Sequence, residues 1–320
     1  MRVRKAVITA AGRGTRQYPA STTVQKEMFP LVDRDGLTKP VVQIIAEEAL
    51  ESGIEELCIV TAPGDEEQYR RHFRGLSEDL LPAFGSRSWA IAESARLADI
   101  ERRTTYVTQP TPEGYGHAVY CAREFVGNEP FLLLLGDHIY VSGKAGRCSK
   151  QVMDVFEQAG TTVSAVKRTP EESLHLFGTV RGESRAELGP GVYSVTAISE
   201  KPAIEYAETH LRTPGLRRGE YLCFFGMQVF TPTLFDCLGY NISHDVRERG
   251  EFQLTTAQEM LRQREPYLAF EADGDRYDMG VPFGYVETQI ALALHSPARD
   301  AMLASIVTLI ARSGARDHRA

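Results

Sequence analysis

Two glycines, two arginines and a lysine are crowded into the loop that follows the first apolar run of the chain. Residues 6–33 read AVITAAGRGTRQYPASTTVQKEMFPLVD, and residues 6–10 predict a buried strand. Glycines let backbone N–H groups approach phosphate oxygens, while Arg16 adds a forked donor and Lys26 a point charge. The loop lacks the dinucleotide-binding GxGxxG, because Gln17 stands at its third position, and it is not a Walker loop. This stretch alone predicts either a phosphate cradle or a solvated surface loop.

The composition of the chain limits the classes of ligand that this loop could bind. The chain has 320 residues, of which 42% are hydrophobic and 25% charged, and a formal net charge of −7. That length suits one large α/β domain or a domain with a helical appendage. The negative balance excludes broad electrostatic binding to nucleic acid or to an anionic membrane. No apolar stretch approaches the roughly 18 residues of a membrane span, and the glycine loop follows the N-terminus at once, which predicts a cytoplasmic protein.

The five cysteines predict neither a disulfide framework nor a structural zinc site. They are an odd number, lie far apart and form no CxxC motif or His/Cys cluster. We therefore expect them to be small buried side chains.

The elements that must position the loop alternate in α/β fashion. Thr38 as N-cap, Pro40 in the first turn and Gly53 as the stop predict a helix over residues 38–53. Further helices are predicted at residues 116–126 and 151–160 and in two segments at the end of the chain. The predicted strands lie at residues 6–10, 55–62, 104–109, 131–135, 161–168, 177–183, 191–202 and 220–230.

Three polar segments directly follow predicted strands. They are the opening loop, residues 109–116, and Asp137 after the apolar run FLLLLG. In open α/β sheets, ligands bind outside the carboxyl ends of the strands. We therefore expect these segments to converge on one site.

Six segments, in order, resemble the sugar-nucleotide pyrophosphorylases. The opening loop carries G-x-G-T-R, a proline and K-E-M-x-P, and the K-E-M form is similar to bacterial UTP:glucose-1-phosphate uridylyltransferases. The others are TQPTPEGYGHAVYCA, LLLLGDHIY, FGTV with SEKP, GEFQLTTAQEML and YDMGVPFGYVET, so that the set spans residues 6–288. The resemblance implies an α/β fold of the nucleotide-diphospho-sugar transferase type, Rossmann-like, with a mixed, mostly parallel central sheet flanked by helices.

The resemblance implies that UTP and glucose 1-phosphate are converted to UDP-glucose and pyrophosphate. A sugar phosphate oxygen attacks the α-phosphorus in line, so positioning and charge neutralisation supply most of the catalysis. Arg16, Lys26 and Lys201 are the implied catalytic residues. The implied nucleotide-binding residues are Ala11, Gly12, Gly14, Thr15, Gln109 and Gly114.

The resemblance also implies a magnesium ion held by Asp137 and Asp278. Magnesium prefers one or two carboxylates together with substrate phosphates. The alternatives are that Asp137 caps a turn or a helix, and that Asp278 is a turn residue for which Asp275 is the local competitor.

Base and sugar recognition fall to the middle segments. The amide of Gln109 suits the edge of a pyrimidine, and Gly114 leaves room beside it. Because QPTPEG also occurs in the thymidylyltransferase branch, UTP and dTTP both stay open. Gly178, Glu200 and Lys201 are carried over as sugar-binding residues, and one of the last two must sit at a bend, since neighbouring strand residues face opposite ways. The alternative interpretation of SEKP is that its charged residues only mark the end of a strand and bind no sugar.

Two other classes of protein stay open. One is a non-catalytic, sugar-nucleotide-binding regulatory protein, and the other is a Rossmann-type dehydrogenase, which the broken glycine spacing disfavours. The predicted organisation is a catalytic domain over residues 1–280 and a helical segment over residues 281–320. That segment packs on the domain or on a partner subunit, so a homo-oligomer is possible.

Overall fold

The structure is a computed structural model that describes residues 1–77, 79–84 and 87–317. The strands are β1 (Lys5–Ala10), β2 (Pro30–Val32), β3 (Thr38–Pro40), β4 (Glu56–Thr61), β5 (Thr104–Thr108), β6 (Phe131–Leu135), β7 (His138–Ser142), β8 (Thr162–Pro170), β9 (Gly178–Ser184), β10 (Val192–Glu200), β11 (Glu220–Phe230), β12 (Tyr267–Glu271) and β13 (Gly274–Asp278). The α-helices are α1 (Val41–Glu51), α2 (Glu66–Phe73), α3 (Leu81–Phe84), α4 (Ser88–Arg103), α5 (Tyr115–Cys121), α6 (Arg123–Val126), α7 (Cys148–Ala159), α8 (Ile204–His210), α9 (Thr233–Ser243), α10 (Leu254–Arg264), α11 (Pro282–Leu294) and α12 (Arg299–Asp317).

In the described part of the chain, one large sheet has the strand order β5-β4-β1-β6-β11-β8-β12-β10-β9. Pairing is parallel across β5, β4, β1 and β6 and again between β8 and β12. Antiparallel pairing places β11 between β6 and β8 and joins β10 to β12 and β9. The predicted mixed α/β class is confirmed, although parallel pairing takes a smaller share of the sheet than the sequence predicts.

The sheet is buried on both faces because most side chains of its central strands are apolar. On β1, Ile8 belongs to the core cluster on one face and Val7 to the cluster on the other, and Leu134 and Leu133 of β6 divide in the same way. Helices α1 and α7 contribute to the first cluster, and α5, α9 and α10 to the second. Period-2 alternation in a continuous apolar run gives each face a complete set of packing side chains.

Four parallel strands end at one edge of the sheet, and this edge positions the site. Strands β5, β4, β1 and β6 end at Thr108, Thr61, Ala10 and Leu135. Two antiparallel ribbons, β2 with β3 and β7 with β13, lie outside the large sheet. The loops after β1, β5 and β6 therefore converge, as the sequence predicts.

Two predicted helix boundaries are wrong. Helix α1 begins at Val41 with Pro40 as its N-cap, because Thr38 and Lys39 pair with β2 as strand β3. Tertiary pairing overrides the capping preference of threonine. The predicted helix over residues 116–126 is divided at Ala122 into α5 and α6.

Helix α11 is tied to the body of the protein by hydrogen bonds to β2. The hydroxyl of Tyr285 donates to the Pro30 carbonyl at 2.7 Å, and the side chain of Gln289 bonds both the N–H and the carbonyl of Val32. Helix α12 packs against α11. In the residues that the structure covers, we find no helix with the length and apolarity that crossing a membrane requires.

The cysteines match the prediction from their spacing. Cys58, Cys148, Cys223 and Cys237 are buried and Cys121 is partly buried, all as free thiols.

Candidate active site

A cleft of about 730 Å³ opens at the carboxyl edge of the parallel strands. Apart from Gly14, every site residue named from the sequence lines this cleft: Ala11, Gly12, Thr15, Arg16, Lys26, Gln109, Gly114, Asp137, Gly178, Glu200, Lys201 and Asp278. Residues as far apart in the chain as Ala11 and Asp278 thus share one cavity, of the size that holds small ligands.

The β7–β13 ribbon brings the two aspartates together. Asp137 directly precedes β7, Asp278 ends β13, and the register sets Asp278 opposite His138. The backbone N–H of Met279 donates to the Asp137 carbonyl at 2.8 Å, which fixes the two strand ends. One ligand atom from each of Asp137, His138 and Asp278 lies within 4.8 Å of the others. Two carboxylates on this spacing fit the oxygen-rich coordination that magnesium prefers.

Asp137 is held by a cation on one side and an imidazole on the other. Lys26 Nζ lies 2.6 Å from Asp137 Oδ2, and His138 Nδ1 lies 2.9 Å from Oδ1. Burial opposes ionisation of Asp137, but Lys26 and the hydrogen bond to His138 outweigh it and hold the pKa of this carboxyl well below its usual range. Asp137 is therefore a charged carboxylate at any physiological pH.

Lys26 reaches the aspartate from a short turn of 3₁₀ helix, Lys26–Met28. Burial lowers the pKa of the ammonium, and the charges of Asp137 and Glu27 more than restore it, so that the net shift is upward. Lys26 also runs beside Gly12, where an added Cβ would lie 3.2 Å from Nζ. The small residue leaves space for the lysine to reach the cleft.

The arginine of the opening loop is exposed at the cleft. Arg16 Nη1 lies 3.7 Å from Asp278 Oδ2, and the side chain is 58% exposed. Gly14, with φ of 60°, turns the chain into the 3₁₀ turn Thr15–Gln17. Gln17 then anchors this turn by donating to the Met279 carbonyl at 2.7 Å. The 3₁₀ turn is thus anchored by Gln17, while the guanidinium of Arg16 is exposed beside Asp278.

Glu27 is a buried carboxyl next to Lys26. It is 1% exposed, packs under Gly136, and lies 3.7 Å from Lys26 Nζ. Burial raises its pKa to about 8. Its Oε2 atom has no hydrogen-bond partner among the described residues. A neutral carboxyl at neutral pH leaves Asp137 as the main counter-charge for Lys26.

Gln109 and Gly114 form a compact turn at the end of β5. Gln109 Nε2 donates to the Gly114 carbonyl at 3.1 Å and lies 3.2 Å from His117 Nδ1. Gly114 has φ of 113°, and an added Cβ would lie 2.7 Å from the Glu251 side chain. The need for glycine here comes from backbone conformation and close packing, in addition to any room it leaves for a ligand.

The sugar segment is built from the paired ends of β9 and β10. Gly178 stands opposite Glu200, and an added Cβ on Gly178 would lie 3.1 Å from Glu200 Oε2 and 2.7 Å from the Phe224 ring. Burial raises the pKa of Glu200. Lys201 has φ of 43°, immediately after β10 ends. The bend required by adjacent Glu200 and Lys201 is therefore present, and it turns both side chains to the cleft.

The cleft residues that the sequence reasoning missed include His138 and Arg276, and it also missed the buried Gln17 of the opening loop. His138 adjoins Asp137 in sequence, so its role as a neighbour could have been noted. Gln17 and Arg276 gave no signal, because their partners, the Met279 and Phe224 carbonyls, come from distant parts of the chain.

Comparison with known proteins decides the family. The model of the family described as "Nucleotidyl transferase" matches residues 5–293. This chain belongs to the nucleotidyltransferase family. The resemblance inferred from the six segments is confirmed, and the match includes every site segment of this nucleotidyltransferase. Members of the family generally use a divalent metal ion.

Relatives of known activity match along nearly the whole length. The UTP--glucose-1-phosphate uridylyltransferase of Bacillus subtilis is 36% identical over 307 residues, covering 92% of both chains. The enzyme of the same name from Staphylococcus epidermidis is 34% identical over 299 residues, covering 92% of this chain and 94% of its own.

Solved structures agree in fold. A UDP-glucose pyrophosphorylase complexed with UDP-glucose superposes with a TM-score of 0.72 at 28% identity, covering 90% of this nucleotidyltransferase and 98% of that chain. A UTP-bound enzyme of this kind from Acinetobacter baumannii gives a TM-score of 0.74 at 25% identity, covering 96% and 99%.

Proposed function

We propose that this nucleotidyltransferase makes UDP-glucose and pyrophosphate from UTP and glucose 1-phosphate. One observation carries the proposal: a single cleft holds the cationic opening loop, the aspartate pair and the sugar segment. Relatives at 34–36% identity named for this activity support the substrate pair.

The chemistry follows from the charges in the cleft. A phosphate oxygen of glucose 1-phosphate attacks the α-phosphorus of UTP, an O–P bond forms, and the bond to pyrophosphate breaks. Arg16 and Lys26 lie where they can meet charge on the α-phosphate and on the leaving group. The nucleophile is already an anion, so no general base is needed.

Magnesium is the metal that we propose for the aspartate pair. Held by Asp137 and Asp278, it supplies positive charge that offsets the charge of the triphosphate. The observed proximity of the two carboxylates supports this assignment. His138 orients Asp137 through its Nδ1 contact.

Substrate recognition is divided between the two ends of the cleft. Gln109 and Gly114, beside the opening loop, are the residues that we assign to the base. Gly178 and Glu200 are assigned to the hexose hydroxyls, and Lys201 to the sugar phosphate. The opposite positions of these segments in the sheet, after β5 and at β9–β10, support two subsites within one cavity.

Direct transfer can be tested by isotope exchange. Labelled pyrophosphate should enter UTP only when glucose 1-phosphate is present, because the nucleotide passes straight to the sugar phosphate. Exchange without the sugar would contradict this route and indicate a covalent nucleotidyl-enzyme. Absence of any UDP-glucose, with tight UDP-glucose binding, would favour the non-catalytic regulatory alternative.

The domain organisation, the oligomeric state and the cellular location are further parts of the proposal. We propose a catalytic domain over residues 1–280 and a helical segment over residues 281–320 that supports a homo-oligomer. A cytoplasmic location is supported by five free thiols, which suit a reducing compartment.

A further inference from the structure

Arg276, which joins Arg13 and Arg16 in lining the cleft, is partly buried in its wall. It stands on β13, two residues before Asp278, and lines the cavity. Nη1 donates to the Phe224 carbonyl at 2.7 Å, and the guanidinium carbon lies 4.1 Å from the centre of the Phe177 ring. Two contacts of different kinds therefore fix the plane of the group.

The charge of Arg276 has no acidic partner within 4.0 Å among the residues that the structure describes. The neighbouring Asp275 faces outward to Lys167, and Asp278 is near Arg16. A guanidinium stays charged in proteins and carries five N–H donors, of which one is used here. An enclosed cation with unused donors is costly unless acceptors reach it. A ligand in the cleft can supply acceptors for the N–H groups that face the cavity.

The two anchors of Arg276 belong to the sugar segment. Phe177 precedes Gly178, and its carbonyl accepts from the N–H of Lys201 at 3.2 Å. The Phe224 ring packs against Gly178. Under the proposed function, the phosphoryl groups of the nucleotide are assigned to Arg16 and Lys26, which line the same cleft. The donors of Arg276 are thus placed toward the sugar.

We propose that Arg276 is a specificity-determining residue that donates hydrogen bonds to a hydroxyl oxygen of the hexose in the sugar 1-phosphate. The inference rests on the proposed function and adds a hexose contact to it. A fixed donor in an enclosed site discriminates strongly against a sugar that lacks the matching hydroxyl, because its N–H groups then stay unpaired.

The test compares wild type with Arg276→Met and Arg276→Lys on glucose 1-phosphate and on its monodeoxy analogues. For Arg276→Met, the KM for glucose 1-phosphate should rise at least about tenfold while the KM for UTP changes less than about twofold. With the one analogue that lacks the contacted hydroxyl, wild type and Arg276→Met should have the same KM. Arg276→Lys keeps the charge but loses the fork, so it should show a smaller penalty with the same pattern.

Asp275→Asn is the matched control, because Asp275 lies beside Arg276 on β13 and faces solvent. It should leave all KM values unchanged. An equal penalty on every analogue, or a rise confined to the KM for UTP, would overturn the assignment. The assignment would also be overturned if both arginine variants had a lower Tm and showed no effect specific to one analogue. That result would indicate that Arg276 only stabilises the fold.

A binding measurement separates this inference from the proposed function. Calorimetric titration of glucose 1-phosphate, with UTP and a metal chelator present, needs no turnover. Weaker sugar binding by Arg276→Met, absent with one deoxy analogue, supports the role of Arg276 even in a preparation that releases no pyrophosphate. Equal binding by wild type and variant overturns it, whereas lack of pyrophosphate in the wild type contradicts the proposed function alone.

Discussion

Asp137 is a buried carboxylate that contacts both a lysine and a histidine. It is 7% exposed, yet it stays ionised because Lys26 and His138 both contact it. Charge and position therefore matter more than shape at this residue. Replacement by asparagine removes the charge of this side chain and keeps its shape, so it tests the effect of the charge alone.

Asp137→Asn should lower turnover at least about a hundredfold, because one of two anionic metal ligands is lost. The pairing with Lys26 also contributes to folding, so we expect a modest fall in Tm. Turnover across a magnesium titration and a melting curve measure the two effects, with Asp275→Asn as control. Near-normal turnover at low magnesium would contradict the metal role.

Lys201 is assigned to the sugar phosphate by its place at the end of β10. Lys201→Ala should raise the KM for glucose 1-phosphate by about tenfold or more, and it should leave the KM for UTP nearly unchanged. Separate titration of each substrate measures this. Lys150→Ala, which removes an exposed ammonium paired with Asp154, is the control. A rise confined to the KM for UTP would remove Lys201 from the sugar phosphate.

Glu27 gives the protein a pH dependence of stability. The pKa of its buried carboxyl is about 8 in the folded protein, against about 4.3 for an unperturbed glutamate. The folded state holds the proton more tightly, so this contribution to stability is complete at acid pH and is lost as pH rises toward 8. Relative to Glu27→Gln, the wild-type Tm should fall over that window. Parallel Tm curves for the two proteins would show that Glu27 does not titrate there.

The turn after β13 packs against both aspartates that we propose as metal ligands. Gly280 donates its N–H to Asp278 Oδ1 at 2.6 Å. An added Cβ would lie within 2.8 Å of Asp137 Oδ2, Asp278 Oδ1 and Arg16 Nη2. All three atoms are ends of side chains, so they can move aside without unfolding the chain.

Gly280→Ala should therefore leave Tm within a few degrees of wild type and lower kcat by at least about tenfold, through displaced carboxylates. The control is Gly239→Ala in α9, where the nearest atoms stand at an ordinary 3.4 Å and alanine favours the helix by about 1 kcal/mol. Melting curves and steady-state kinetics of both variants decide the matter. Unchanged kcat in Gly280→Ala would show that the carboxylates tolerate the displacement.

The sequence predicts elements better than it predicts contacts between them. The convergence of the opening loop, Gln109 and Asp137 follows from strand ends, because parallel strands share a carboxyl edge. Thr38 is a good N-cap by composition, and only its pairing with β2 excludes that position. Arg276 depends on Phe177 and Phe224, which no local pattern connects to it. Local propensity and periodicity therefore predict the scaffold, and long-range pairing sets the details of the site.

The two C-terminal helices, α11 and α12, each expose large apolar side chains. Phe283, Val286 and Ile290 share one face of α11 and are 81%, 50% and 38% exposed. On α12, Val307 and Ile310 are 64% and 66% exposed. Contiguous exposed apolar side chains are typical of an interface.

A second copy of the chain is the partner that we propose for this surface. Wild type should sediment as a dimer or larger at micromolar concentration, and Val307→Glu should shift it toward monomer. The control is Arg299→Glu on the same helix, because it replaces one polar side chain with another and leaves the apolar side chains in place. A wild type that sediments only as a monomer would contradict the proposal.

We propose that this one cleft transfers uridylyl groups to glucose 1-phosphate. The most direct measurement is the rate of pyrophosphate release with magnesium for UTP and dTTP, each against glucose 1-phosphate and galactose 1-phosphate, ranked by kcat/KM. We predict that UTP with glucose 1-phosphate ranks first and that the product is UDP-glucose. A higher kcat/KM for dTTP, or no pyrophosphate release from any pair, would contradict the account.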